Sequence, residues 1–237
     1  MVAPSAAAWL ILLVIAGGPA AAQTSPSARQ ALQELSDVAA GTQDVVADFE
    51  QQRFSRLLKK PLVSSGQVLV KGGRVRWEAH QPRPSSMLVE GTTIRTHYPV
   101  DKKLEIYELS GRGPSRIVEL AFSPVPRPDL VLEHFHVELL EESAGAVRFR
   151  LSPKNASMRQ HLREVVVSAN AQTGLAHEVQ WTDGGGDRTT ITFRTMRINT
   201  GLTDGQLDLE IPPGTKLVRR LGGKGGGSGT VTEGGKR

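Results

Sequence analysis

From Asp44 onward the chain adopts a hydrophobic period of two, and this alternation limits its fold more than any other feature. In Arg74-Val75-Arg76-Trp77-Glu78, Val75 and Trp77 take one face and charged residues take the other. The same pattern recurs in Val147-Arg148-Phe149-Arg150-Leu151, in Val179-Gln180-Trp181 and in Ile191-Thr192-Phe193-Arg194. Such alternation means strands with one wet and one dry face, as in antiparallel sheets. Turn signals separate the runs at Lys71-Gly72-Gly73, Glu90-Gly91, Ala171-Gln172-Thr173-Gly174 and Asp183-Gly184-Gly185-Gly186. Their spacing predicts about ten or eleven strands connected as a meander.

Helices are few. Ser25-Pro26 reads as an N-cap followed by Pro at the first helical position. Ala28, Ala31, Leu32, Leu35, Val38 and Ala39 follow at helical spacing, and Gly41 closes the segment. A second short helix is expected around Pro114–Ala121, on Ile117, Leu120 and Ala121, before the Pro-rich loop Ser123–Pro128. A large one-sided sheet must cover its dry face, and two short helices cover little. Either the sheet closes into a barrel, or it stays half open with the helices as a lid over a cavity suited to apolar ligands.

The N-terminus bears on compartment. Ala7–Ala16 is an uncharged apolar run, followed by Gly17-Gly18-Pro19 and by Ala20-Ala21-Ala22 before Gln23. This order describes a cleavable signal peptide over residues 1–22, although its first residues lack Lys or Arg. The run is shorter than the roughly 20 residues a spanning helix needs, no later segment spans, and the mature protein is expected to be soluble. The chain has no cysteine, which leaves no disulfide, no thiolate nucleophile and no lipidated N-terminal Cys. Of 29 Lys+Arg and 24 Asp+Glu, six cations (Lys216, Arg219, Arg220, Lys224, Lys236, Arg237) and one acid (Glu233) lie beyond Gly214. The preceding residues are therefore neutral, and nucleic acid, which needs clustered cations, is not an expected partner. The Gly-rich basic segment 222–237 is expected to be a flexible extension, with weak attraction to anionic headgroups as the alternative.

Val45-Val46-Ala47-Asp48-Phe49-Glu50-Gln51 resembles the V-x-x-D/S-F-x-Q opening strand of LolA-type periplasmic lipoprotein carriers. Ser65-Gly66-Gln67-Val68-Leu69-Val70 resembles that family's G-x-L/V-x-V strand, and Val75-Arg76-Trp77-Glu78 with Gln81-Pro82 its F-x-W-x-x-x-x-P strand. Leu88–Ile94 with Tyr98, Leu151-Ser152-Pro153-Lys154 and Leu209–Gly214 continue the series in order. The resemblance covers residues 23–221 as one domain. It implies an incomplete antiparallel barrel, mainly β with short helices, whose helical lid covers an apolar cavity. It also implies a carrier rather than an enzyme, taking acylated lipoproteins from an inner-membrane lipoprotein-releasing transporter to an outer-membrane acceptor, as a monomer and without a cofactor. Two departures stand out. The family's lid-contacting Arg has only Lys71 or Arg74 as its nearest counterpart here, and Lys cannot reproduce the planar fork of Arg. The stretch Lys60–Gly66 resembles divergent members, which points to a carrier of another lipid, or to a lipid-sensing regulator, as the alternatives.

Trp77 and Trp181 are expected either to line the cavity or to fill the core. Phe49, Val68, Val70, Met87, Val89, Ile94, Ile106, Phe149 and Phe193 are further candidates for its wall. Other chemistry finds little support. His134-Phe135-His136 places two imidazoles on one strand face, but that face also carries Glu138 and reads as solvated rather than as a metal site. Glu141-Glu142 reads as a surface turn. Gly227-Ser228-Gly229 and Gly222-Gly223-Lys224-Gly225 lack the flanking strand and helix that a nucleophile elbow or a phosphate loop requires.

Overall fold

The alternation produces twelve strands: β1 (Asp44–Phe54), β2 (Leu62–Lys71), β3 (Arg74–Gln81), β4 (Ser85–Glu90), β5 (Thr93–Tyr98), β6 (Lys103–Glu108), β7 (Phe135–Glu142), β8 (Ala146–Pro153), β9 (Leu162–Asn170), β10 (Ala176–Asp183), β11 (Arg188–Ile198) and β12 (Lys216–Leu221). The computed structural model describes residues 24–108 and 123–221. The expected signal peptide, the helix expected at 114–121 and the segment 222–237 lie outside the described residues. All strands join one sheet in the order β12-β6-β5-β4-β3-β2-β1-β11-β10-β9-β8-β7. Two meanders, β1–β6 and β7–β11, meet where β1 pairs with β11. Neighbours are antiparallel except β12, which runs parallel to β6. The end strands β12 and β7 do not pair with each other, so the sheet is an incomplete barrel. Three of the six cations beyond Gly214, Lys216, Arg219 and Arg220, belong to β12 and precede the basic extension.

Helix α1 (Pro26–Ala39) starts as its sequence requires, with Ser25 Oγ accepting the Ala28 amide at 3.1 Å. It buries Ala28, Ala31, Leu32, Leu35 and Ala39, whereas Val38, expected on the same face, is 49% exposed. A helix that the sequence reading lacked, α2 (Pro128–His134), precedes β7, with Pro128 in its first turn and Leu130 and Val131 buried. His134 ends that helix while His136 is in the strand, so the two imidazoles do not share a strand face. Glu141 and Glu142 are exposed residues of β7 rather than of a turn. A four-residue helix α3 (Ala156–Arg159) links β8 to β9.

The inner face, under α1 and α2, carries two apolar clusters. One centres on Val45, Phe49, Val68, Trp77, Val89, Ile191 and Phe193, and the other on α1 with Phe135, Val137, Phe149 and Leu151. The outer face is closed differently. After β11 the chain crosses back over β1–β3 as a strap, residues 199–208, whose Leu202 and Leu207 pack on Val46 and Leu69. Asp44, 3% exposed, fastens it. Its carboxylate accepts hydrogen bonds from Thr200 N (2.7 Å), Thr200 Oγ1 (2.7 Å), Gly201 N (2.9 Å) and Leu202 N (3.2 Å). Lys71 Nζ donates to Leu202 O at 2.5 Å, and the Arg74 guanidinium meets Asp208 at 2.6 Å and Glu90 at 2.9 Å. Arg76 donates to the Gln206 carbonyl at 2.9 Å.

Burial raises the Asp44 pKa, but the hydrogen bonds from Thr200, Leu202 and Gly201 outweigh it and hold the carboxyl below its ordinary 3.8. The stability it contributes is therefore present above the unfolded-state value and is lost as pH falls through the lower folded value. Asp44→Asn presents an amide N–H₂ to these donors and should lower stability at pH 7 by about 1–3 kcal/mol. In urea titrations the gap between the two proteins should narrow steadily once pH drops below 3.8.

Candidate functional site

An apolar cavity of about 190 Å³ lies where the two inner clusters meet. Its floor is the β8–β10 part of the sheet, where Leu151, Phe149, Val165, Val167, Val179 and Trp181 point inward. Leu32 and Leu35 of α1 and Val131 of α2 roof it, and Ser123–Arg127 crosses its rim. Phe149 and Leu151 are on one face because they are two apart in β8, facing Val167 and Val165 of β9. Register carries the row onward, since Val165 opposes Trp181 and Val167 opposes Val179.

Two local devices hold the roof. Thr24 Oγ1 accepts the Val137 amide at 2.9 Å, which ties the start of α1 to edge strand β7. At the other end Gly174 turns with φ +70° directly beneath α1, where a Cβ would lie 2.2 Å from the Leu35 carbonyl oxygen. Only glycine satisfies both demands. The rim segment is fixed by the Ala176 amide donating to Pro124 O at 2.9 Å. Arg127 pairs with Asp129 at 3.2 Å, and this hydrogen bond holds the Asp129 carboxyl below its ordinary range against the opposing effect of burial.

Arg127 is the one ionisable residue of the lining. Among the described residues no group of three or more His, Asp or Glu is placed to hold a metal ion. The site can exclude water from an apolar guest, and it offers few directional contacts.

Of the residues expected at the cavity, Phe149 and Trp181 are in its wall. Phe49, Val68, Val70, Trp77, Val89 and Phe193 belong to the adjoining cluster, with Met87 and Ile94 packed against it. There Trp77 is 4.3 Å from Phe49 and 6.0 Å from Phe193 between ring centroids. Ile106 opposes Arg95 on the outer face, and Tyr107 takes the inner place opposite Ile94. The latch candidates Lys71 and Arg74 are likewise on the outer face and engage the strap, because alternation puts them opposite in phase to Val70 and Val75. The sequence reading missed the contributions of Leu32, Leu35, Val165, Val167 and Val179. In Val165-Val166-Val167 three consecutive apolar residues hide the phase that register reveals.

Residues 40–208 match the family model described as outer membrane lipoprotein carrier protein LolA. An outer-membrane lipoprotein carrier protein of Azotobacter vinelandii is 26% identical over 215 residues, which span 89% of this chain and 97% of that protein. One from Pseudomonas paraeruginosa is 24% identical, over 89% of this chain and 97% of its own length. Among solved structures, an uncharacterized conserved protein of Thermus thermophilus is similar in fold, with a TM-score of 0.53 at 12% identity over 82% of this chain and 99% of that one. A LolA superfamily protein of Nitrosomonas europaea matches with a TM-score of 0.42 at 13% identity, over 77% of this chain and 97% of its own.

Gly174→Val should force α1 away from the turn and the turn out of its backbone conformation. The expected result is a melting temperature lower by about 5–10 °C, read by circular dichroism.

Proposed function

The chain belongs to the outer membrane lipoprotein carrier protein LolA family, and from that premise we propose that its inner-face cavity takes up lipoprotein acyl chains. It would receive them from an inner-membrane releasing transporter and hand them to an outer-membrane acceptor. Residues 1–22 would direct export to the periplasm and be removed there. The observation that carries this reading is the lining of the cavity, apolar but for Ser123 and the rim residue Arg127.

Burial alone suffices for such a ligand. Each methylene removed from water contributes about 0.8 kcal/mol, and hydrocarbon asks for no hydrogen-bond partner. The cavity volume of about 190 Å³ is close to the roughly 150 Å³ at which an apolar cavity takes up benzene. Drug-sized ligands occupy roughly 300–1,000 Å³. A whole acyl chain therefore requires the roof to yield. As it yields, the cluster formed by Phe49, Val68, Val70, Trp77, Met87, Val89, Ile94 and Phe193 extends the wall for the incoming chain. Phe149 and Trp181 touch the ligand first. Lys71 and Arg74 hold the outer strap and keep the sheet's shape during loading. Ile106, on the outer face, has no part in the lining. Transfer onward needs an acceptor whose site binds the chains more favourably.

The full chain, exported to a bacterial periplasm and purified, should carry a di- or triacylated lipoprotein detectable by native mass spectrometry and lipid extraction. Another acyl lipid in its place would make the protein a carrier of that lipid. A chain that carries no lipid, binds no hydrophobic dye and accepts no lipoprotein from an inner-membrane donor would overturn the reading. Trp181→Asp sets a carboxylate in the cavity wall and should weaken fatty-acid probe binding at least tenfold, while Lys71→Ala leaves it within about twofold.

A further inference from the structure

Exposed hydrophobic side chains are scattered over most soluble domains and carry no message singly. Here they gather. Of nine large hydrophobics exposed among the described residues, five fall between Phe54 and Val63, at the β1–β2 hairpin. Leu57 is 94% exposed and Leu62 57%, with Leu58, Val63 and Phe54 also open to solvent. Residues 53–63 hold four cations, Arg53, Arg56, Lys59 and Lys60, and no acid.

The root of this tip is pinned while its end projects. The Leu58 amide donates to Ser55 O at 3.0 Å and closes a turn. Arg53 pairs with Asp187 at 3.3 Å, and Arg56 donates to the Gly185 carbonyl. Hydrogen bonds from Ser55, Arg56 and Arg53 hold the Asp187 carboxyl below its ordinary range, so the β10–β11 turn acts as an anionic clamp on the root. Beyond the clamp, Lys59 and Lys60 make no ion pair among the described residues. Leu62 and Val63 pair with Arg53 and Gln52, but pairing with β3 begins only at Ser65, so the hairpin overhangs the sheet.

We propose that the Leu57–Val63 tip inserts its leucines into the interface of an anionic lipid bilayer while Lys59 and Lys60 meet the headgroups. Charge complementarity selects this occupant. A protein partner for the leucines would not explain why every charge within residues 53–63 is positive, whereas apolar side chains flanked by cations are what an anionic leaflet binds. The tip's position suits a lipid handler. Arg53 opposes Thr189, Thr189 opposes Trp181, and Trp181 opposes Val165, so one row of the sheet runs from the root of the tip to two residues of the cavity wall. The contact itself depends on the tip alone and does not require that the cavity bind acyl chains.

The test is sedimentation of the full chain with vesicles of phosphatidylcholine alone or of phosphatidylcholine with phosphatidylglycerol, whose anionic headgroups attract basic segments. Binding to the anionic vesicles alone is expected, weakening with salt. Leu57→Ser with Leu58→Ser should reduce it at least tenfold, and Lys59→Gln with Lys60→Gln roughly thirtyfold. Both pairs of residues are exposed, so melting temperature and binding of a fatty-acid probe should not change. Those two readouts separate failure of the tip from failure of the cavity reading. Lys224→Gln, Lys236→Gln and Arg237→Gln together should leave vesicle binding intact. Absence of vesicle binding, equal binding by the tip variants, loss confined to the Lys224, Lys236 and Arg237 variant, or a tip that captures a purified protein but no vesicle would each overturn the proposal.

Discussion

The pairing of β1 with β11 is what the rest of the molecule depends on. It joins strands far apart in sequence, Val45 opposite Ile198 through Phe54 opposite Arg188, and makes one sheet of two meanders. Closing a loop of that length costs little more than closing a shorter one, because the entropy grows only logarithmically. The return is an inner face continuous from β6 to β7, with Phe49 beside Phe193 and Trp77 packed on both. Unjoined, each meander would expose its end strand, β1 or β11, as an unpaired edge, which proteins normally protect. Joined, they create a dry face wider than α1 and α2 can cover. The cavity falls at the seam between the two inner clusters, so it is a consequence of the topology more than of any single side chain.

The two faces of the sheet are held by forces of different kind. On the outside, the strap is fixed by directional contacts: four hydrogen bonds to the Asp44 carboxylate and the bonds of Lys71, Arg74 and Arg76 to strap carbonyls and Asp208. Such contacts lose their value when displaced by an ångström. On the inside, α1 rests on Phe135, Phe149 and Leu151 through contacts that have no direction. An apolar guest can replace those contacts with equivalent ones. Strain introduced at the cavity is therefore relieved by the roof and not by the back of the sheet.

Much of this was legible in the sequence, and the gaps have physical causes. Strand phase could be read where single apolar residues alternate with charges, as at Val75-Arg76-Trp77, and the Ser25-Pro26 start of α1 could be read from its cap. Phase could not be read through Val165-Val166-Val167, nor at Ile106, where Leu104, Ile106 and Tyr107 offer apolar atoms to both faces. The helix at Pro128–His134 was hidden inside a Pro-rich stretch whose composition signals a loop, although Pro128 serves as its first-turn residue. The strap was invisible because its partners are about 130 residues away: nothing near Lys71 or Arg74 in sequence shows that Leu202, Asp204 and Asp208 will lie over them. Local pattern reports the face of a strand, and only tertiary pairing reports what covers that face.

On the proposed readings, the cavity and the hairpin tip address two parts of one physical problem. Hydrocarbon moved between a bilayer and a protein is penalised for every methylene that crosses water, so the cost depends on the length of the exposed path. A cavity lowers the energy at one end of the path but does nothing to shorten it. A tip that seats in the leaflet shortens it, provided that it projects from the end of the sheet where the cavity wall begins. The register meets that condition, since Arg53 and Trp181 are two strands apart in the same row. The clamp at Asp187 adds the second requirement, a fixed angle between tip and sheet, because Arg53, Ser55 and Arg56 are all tied to the β10–β11 turn that also follows Trp181. A tip hinged freely at its root would bind a membrane equally well and leave the cavity facing water.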